Sequence, residues 1–233
     1  MIQHHPDEVL LAALAAGRLA CGPAVVTATH LELCPRCRAR LGQYEAVGGA
    51  LLEAAEPAVL AAEALVRTLA RIDELSATAD ASAPAAPPAH ATSPAHSRAA
   101  ARFLGSLPTG MRWPQSLAGC TPAGWRWLGP GMRWSRLRLA DDPAANVFLL
   151  RIAAGKNLPL HSHRGLELTQ VLHGAFDDGR ARFDAGDFDG ADDAVHHQPV
   201  VEAGGECICL ASVEGRVAFD GRVAQVFGAL VGM

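Results

Sequence analysis

Two groups of metal-seeking side chains stand out before any element is assigned. Cys34 and Cys37 are separated by two residues, a spacing that lets both thiolates grip one tetrahedral ion at a turn or helix start. His30 lies one helical turn earlier, within reach of the same point. A structural Zn²⁺ needs a fourth ligand, and the nearby nitrogens are those of His4 and His5. Cys21 competes for that place, but it sits in an apolar stretch beside Gly22 and reads better as a small buried residue. A thioredoxin-type redox pair is the poorer reading of Cys34 and Cys37, because no strand precedes them and His30 would be left without a role. Far downstream, His161 and His163 alternate, so on a strand both point to one face. Glu167 follows at even spacing and can supply an oxygen. Two imidazoles and a carboxylate suit Zn²⁺, Mn²⁺, Fe²⁺, Ni²⁺ or Cu²⁺, with a fourth ligand expected from a later strand.

The elements that must carry these residues change character along the chain. Up to residue 75 the apolar spacing is helical. Asp7 can cap a helix bearing Val9, Leu10, Leu11 and Leu14, and a second stretch covers Val25 to Leu33. A third runs through Cys37, Leu41, Tyr44, Val47 and Leu51, and a fourth spans Ala58 to Leu75. Four short helices make a marginal core, which invites a metal staple or a partner. Ser76 to Ala100 is rich in Ala, Pro, Ser and Thr and has no large apolar residue, so it reads as an extended spacer. Beyond it come short strands at Trp125–Leu128, Trp134–Leu139, Val147–Ile152, Glu167–Leu172, Cys207–Ala211, Val217–Phe219 and Val223–Phe227, parted by Gly, Pro and Asp turns. That pattern predicts a sandwich or barrel.

The 233 residues suffice for two domains, and half of them are apolar, which excludes a wholly disordered chain. A net charge of −4 argues against the broad basic surface that nonspecific nucleic-acid binding needs. Residues 1–75 hold six arginines against nine carboxylates, so direct DNA contact by the helical region is disfavoured as well. No apolar run reaches the length of a membrane span, and residues 1–8 lack the basic-then-apolar order of a signal peptide. The expectation is a cytoplasmic protein, whose six cysteines are metal ligands or redox thiols before they are disulfides.

Two resemblances sharpen this. The run Gly155-x5-His161-x-His163-x3-Glu167-x6-Gly174 resembles the first cupin motif at every defined position. His197 stands eleven residues after Gly186, as the second cupin motif demands, which makes it the fourth ligand; Asp192, Ala194 and Val201 depart from that motif at turn positions. On a regular strand His196 then faces the other way. The opening HHPDEVLLAALAAG and the segment ATHLELCPRCRARLGQYEAVGGALLE, followed by a barrel, resemble the ChrR type of anti-sigma factor. That resemblance implies a two-domain α + β chain. A zinc-stapled four-helix domain occupies residues 1–75, a linker 76–104 and a cupin β-barrel 105–233. It also implies that His5 is the fourth ligand beside His30, Cys34 and Cys37, and that the cupin metal is zinc. The implied partner is an extracytoplasmic-function (ECF) sigma factor, held inactive by the helical domain and released when the cupin senses singlet oxygen or an organic hydroperoxide. No enzymatic role follows from it.

Other residues carry weaker signals. Cys207 and Cys209 share a strand face and read as two small core residues or as a redox switch. Trp113, Trp125, Trp127 and Trp134 are expected on the outer layer of the barrel. His173 is expected at the surface or behind a ligand, while Cys120, and His90 and His96 of the spacer, suggest no function. The alternative reading of the whole chain is a cupin metalloenzyme, a dioxygenase or isomerase, with an accessory zinc module.

Overall fold

The structure, a computed structural model, describes residues 1–80 and 100–219. The expected strand over 223–227, and His90 and His96, lie outside the described residues. Four helices come first: α1 (Glu8–Ala15), α2 (Cys21–Leu33), α3 (Pro35–Ala54) and α4 (Ala64–Asp80). Asp7 caps α1 as the sequence indicates, accepting a hydrogen bond from Leu10 N at 2.7 Å. Helix α2 starts four residues before the predicted stretch, because Pro23 falls in its first turn, where a missing N–H costs nothing. Helix α4 runs on to Asp80, into the stretch read as spacer.

Only part of this helical region has a core. Leu11, Leu31, Cys34 and Cys37 are buried together, with Ile2, Leu14, Leu41 and Tyr44 packed around them. Glu8, Arg40 and Tyr44 tie α1 to α3 at the surface, the arginine donating to Glu8 Oε2 at 2.7 Å. Past Tyr44 no described residue covers the helices: every residue from Glu45 to Glu63 is exposed, and so is every residue of α4 from Leu65 to Ser76. Leu51, Leu69 and Ile72 are thus 69%, 51% and 51% exposed.

The second half is a barrel of short antiparallel strands, preceded by a 3₁₀ turn at Gln115–Leu117. Its largest sheet holds β1 (Thr121–Pro122), β2 (Arg126–Gly129), β3 (Met132–Arg138), β4 (Val147–Ile152), β6 (Glu167–His173), β9 (Phe188–Ala191) and β12 (Cys207–Val213). Along it the order is β1-β3-β4-β12-β6-β9, with β2 paired to β3. A second sheet orders β10 (His196–His197), β5 (His161–Arg164) and β13 (Arg216–Phe219), and a third orders β11 (Val200–Val201), β7 (Ala175–Asp177) and β8 (Arg182–Asp184). Gly174 of the cupin-like run turns β6 into β7 at φ +72°, and a Cβ there would collide with the Glu206 carbonyl oxygen.

Helix α2 packs on the barrel. Strands β4 and β12 are buried on both faces, which is why they read as apolar runs instead of alternating. Inside, Phe148, Leu150, Cys207 and Cys209 face the lumen with Trp134 and Phe176. Outside, Val147, Leu149, Ile208 and Leu210 meet Val26 of α2, together with Phe103 and Leu117. Gly22 allows the approach, since a Cβ there would strike the Ser212 side chain. Trp113 and Trp125 join this outer cluster as expected. Trp134 corrects that expectation: it is buried in the lumen-side cluster, because the β3 register places it opposite Leu150. Trp127 is 71% exposed and packs in neither layer.

Candidate metal centres

The N-terminal group assembles from three elements. His30 comes from the last turns of α2, Cys34 from the α2–α3 junction and Cys37 from the first turn of α3, so one tight corner delivers three donors. The fourth is His5. Its Nδ1 stands 3.4 Å from His30 Nε2 and 3.4 Å from each of Cys34 Sγ and Cys37 Sγ. Tetrahedral zinc with two nitrogen and two sulfur ligands requires donor–donor edges of about 3.3–3.8 Å, so the spacing fits. His4 is turned aside, its ring centroid 4.5 Å from that of Phe183. The extended segment at residues 3–5 alternates its side chains, and its register is set by the barrel: Gln3 N and His4 N donate to Asp187 Oδ1 at 2.6 and 3.1 Å, and Phe188 N donates to His4 O at 3.1 Å.

The protonation tendencies of this group also suit a cation. Burial lowers the affinity of His5 and His30 for a proton, favouring the neutral imidazole that ligates. Burial, with Cys34 close by, pushes the Cys37 thiol up to about 12; a buried thiolate pair lacks the positive charge a metal would bring. Zinc uptake here must therefore displace at least the Cys37 proton at neutral pH. The apparent affinity is expected to fall about tenfold or more for each unit of acidification below pH 7. Zinc added to the metal-free chain in weakly buffered solution should release one or more protons per ion bound; uptake without acidification would contradict this.

The second group lies in the barrel lumen. Strand β5 presents His161 and His163 to one face, Glu167 opens β6, and β10 pairs with β5 so that His197 sits opposite His161. His197 Nε2 is 3.2 Å from both His161 Nε2 and His163 Nε2, and Glu167 Oε2 is 3.0 Å from His163 Nε2 and 3.8 Å from His161 Nε2. These match the edges of about 3.3–3.4 Å around an ion bound at 2.0–2.1 Å. Three ring nitrogens converging on one point cannot all satisfy one another, and a shared cation resolves the conflict. His196 faces away and is exposed, as strand alternation requires.

Residues that no motif announced support this second group. His197 Nδ1 donates to the fully buried Asp178 Oδ2 at 3.1 Å, which turns its Nε2 toward the other two rings. Arg180 Nη2 bridges Asp178 at 2.5 Å and Asp189 at 2.8 Å. His161 Nδ1 donates to Pro159 O at 2.8 Å. Burial alone would raise the Glu167 carboxyl and lower His161. Their mutual contact reverses both, holding Glu167 far below the usual carboxylate range and raising His161. His197 stays low, because its burial outweighs Asp178. Asp189 is pushed up to about 6 by burial and by Asp178 and Glu167, against the pull of Arg180. The lumen thus gathers carboxylates around the three histidines, a donor set that would suit a divalent ion. The only sequence trace of these supports is a run of acidic residues from Asp177 to Asp193, which does not tell which side chains point inward.

The rest of the lumen is apolar. Leu150, Ile152, Leu158, Phe176, Val201 and Pro199 leave a cavity of about 30 Å³ beside the ligands. Cys207 and Cys209 line it too, with sulfurs 3.6 Å apart. Hydrogen bonding between the two thiols, and burial, raise Cys209 well above an ordinary thiol. His173, at the other end of β6 from Glu167, is half-buried and belongs to neither group of ligands, and burial raises the half-buried Cys120 thiol.

A helical His₂Cys₂ group packed on a cupin-like barrel with a His₃Glu lumen defines a helix-plus-barrel chain with two candidate metal sites. Comparison with known proteins narrows this. Residues 115–215 match the family described as the ChrR Cupin-like domain. The chain is 39% identical over 220 residues to the anti-sigma-E factor ChrR of Cereibacter sphaeroides, spanning 94% of this chain and 93% of that one. A crystal structure of Rhodobacter sphaeroides SigE in complex with the anti-sigma ChrR superposes with a TM-score of 0.67 at 38% identity, covering 92% of this chain and all of the matched one. The chain belongs to the ChrR family of anti-sigma factors.

Proposed function

We propose that this chain binds an ECF sigma factor through its helical region, keeps it from RNA polymerase, and releases it when the cupin senses singlet oxygen or an organic hydroperoxide. It acts in the cytoplasm; among the described residues no helix is long and apolar enough to cross a membrane. Both ligand groups hold zinc: His5, His30, Cys34 and Cys37 a structural ion, and His161, His163, Glu167 and His197 a second one. The domain division at 1–75, 76–104 and 105–233 belongs to the same reading. The relatives' names support the partner class.

The observation that carries the proposal is the bare apolar surface of the second half of α3 and of α4. Leu65, Leu69 and Ile72 recur at helical spacing on one face of α4, with Arg67, Arg71 and Glu74 on the opposite one. A 17-residue helix without tertiary support is marginal in water. Its apolar face calls for a partner, and a sigma factor is the occupant the family supplies. The cupin lumen speaks against an enzyme. A cavity of about 30 Å³ beside the ligands is small and mostly apolar, with room for a small oxidant next to the ligands and the two thiols and little polar lining to orient a larger substrate.

The test uses the whole chain, because Val26, Thr29 and His30 of α2 are buried against the barrel side and truncation would uncover them. Each ECF sigma factor of the same genome is offered as bait, with zinc and after chelation. One-to-one capture that fails on chelation, and that singlet oxygen or a hydroperoxide disperses, is the expected result. No capture by the zinc-loaded chain would refute the proposal.

A further inference from the structure

His30 is fully buried, and its two ring nitrogens look in opposite directions. Nε2 faces His5 in the N-terminal group, at 3.4 Å. Nδ1 faces Gln170 Oε1 at 3.0 Å, and Gln170 belongs to β6 of the barrel. Gln170 is itself fully buried, and its Nε2 donates to Val171 O at 3.1 Å. A carbonyl can only accept, so this bond fixes which end of the amide meets His30: the oxygen, also an acceptor. The His30 proton must then sit on Nδ1, which leaves the Nε2 lone pair aimed into the metal group. His5 is likewise placed from the barrel, through the bonds of Gln3, His4 and Phe188 with Asp187 and the His4 carbonyl described above. Two of the four N-terminal ligands are thus held by barrel residues.

We infer that the barrel supplies the outer shell of the N-terminal metal site, with Gln170 as the positioning residue of His30, and that β6 thereby couples the two sites. The inference rests on the metal-binding reading of both groups. Glu167 and Gln170 are three positions apart on β6 and face opposite ways, one into the lumen and one toward α2. Strand β9 repeats the arrangement: Phe188 pairs with Gln170 and meets the His30 ring edge-on at 5.7 Å, while Asp189 on the lumen side anchors the Arg180–Asp178–His197 chain. Because both side chains leave one strand, a change at Glu167 is expected to reach the His30–Gln170 bond through β6. By linkage the influence is reciprocal, so filling the lumen site tightens the N-terminal one.

The test is made on the full chain with Co²⁺ and Zn²⁺. Thiolate-to-cobalt absorption reports the N-terminal site alone, since the lumen group has no sulfur ligand. Gln170→Leu, which leaves the Nδ1 proton without an acceptor, is expected to weaken that site about 10- to 100-fold in competition with a chelator. Gln170→Glu retains the acceptor and should restore most of the affinity. Should the leucine variant fail to fold, Gln170→Met poses the same question with an unbranched chain. Emptying the lumen by Glu167→Ala should also weaken the N-terminal site, but not add to the loss in the Gln170→Leu background. Wild-type cobalt affinity in the leucine or methionine variant would overturn the positioning role. Additive losses, or no effect of Glu167→Ala, would overturn the coupling. A wild-type chain that binds fewer than two ions would instead remove the metal reading beneath both.

Discussion

Exchange of Cys34 or Cys37 for serine is expected, on the proposed zinc reading, to remove one zinc ion per chain and to unfold the corner where α1, α2 and α3 meet. The expected size follows from how little else holds that corner. Apart from the cysteines themselves, its buried apolar residues are Leu11 and Leu31, with Ile2, Leu14, Leu41 and Tyr44 partly covered. Burying a leucine is worth about 1.5–3 kcal/mol, and the solvent-exposed link of Glu8 to Arg40 and Tyr44 adds little, because water screens it. Structural zinc in small domains contributes about 10–16 kcal/mol near neutral pH, more than the rest of that core combined. The barrel should survive, and α2 should stay docked, because Val26 and Gly22 are fixed by the outer cluster and not by the metal. Zinc analysis of the purified variant, far-UV circular dichroism and limited proteolysis are the readouts. Cleavage is expected before residue 20 and after residue 33, with the barrel intact. A serine variant that keeps its zinc and resists protease would show that the metal is not the staple.

The same corner shows what could be read ahead of the structure. Cys34, Cys37 and His30 were legible because their spacing along one short stretch is their geometry in space. The choice between His5 and His4 was not legible from spacing. It is made by Asp187 and Phe188, more than 180 positions away, which fix the register of residues 3–5. In the barrel, His161 and His163 follow from strand alternation; Glu167 opens the next strand beyond Gly165, so it and His197 were legible through the resemblance to the cupin motifs and not through alternation. Asp178, Arg180 and Gln170 had no such signal, since each matters only through a partner from another strand. Trp134 failed for a related reason: the pattern of β3 does not tell which face is lumen until its pairing with β4 is known. Docking of α2 was hidden as well, because Gly22, Val26 and Thr29 look like ordinary helix residues until the barrel lies beneath them.

Aspartate in place of both Leu69 and Ile72 is expected to abolish sigma-factor capture without lowering the stability of the free chain. The two effects come apart because of where these side chains stand. Each is 51% exposed, and among the described residues no element covers them and α4 joins no buried cluster. Removing them takes nothing from the buried clusters of the described residues, and what the added carboxylates cost by like-charge contact with each other and with Asp73 falls on α4 alone. In a complex the same positions are covered. Losing two buried aliphatic side chains there costs about 3–6 kcal/mol, an affinity loss of about 10² to 10⁴. Alanine at Arg67 and Glu74, on the opposite face, serves as the control and should leave capture unchanged. Titration calorimetry against the captured sigma factor gives the first quantity, and thermal unfolding of the free variant gives the second. A lowered melting temperature with binding intact would mean that α4 closes against its own chain, and the docking face would then have to be sought on α3 around Val47, Leu51 and Leu52.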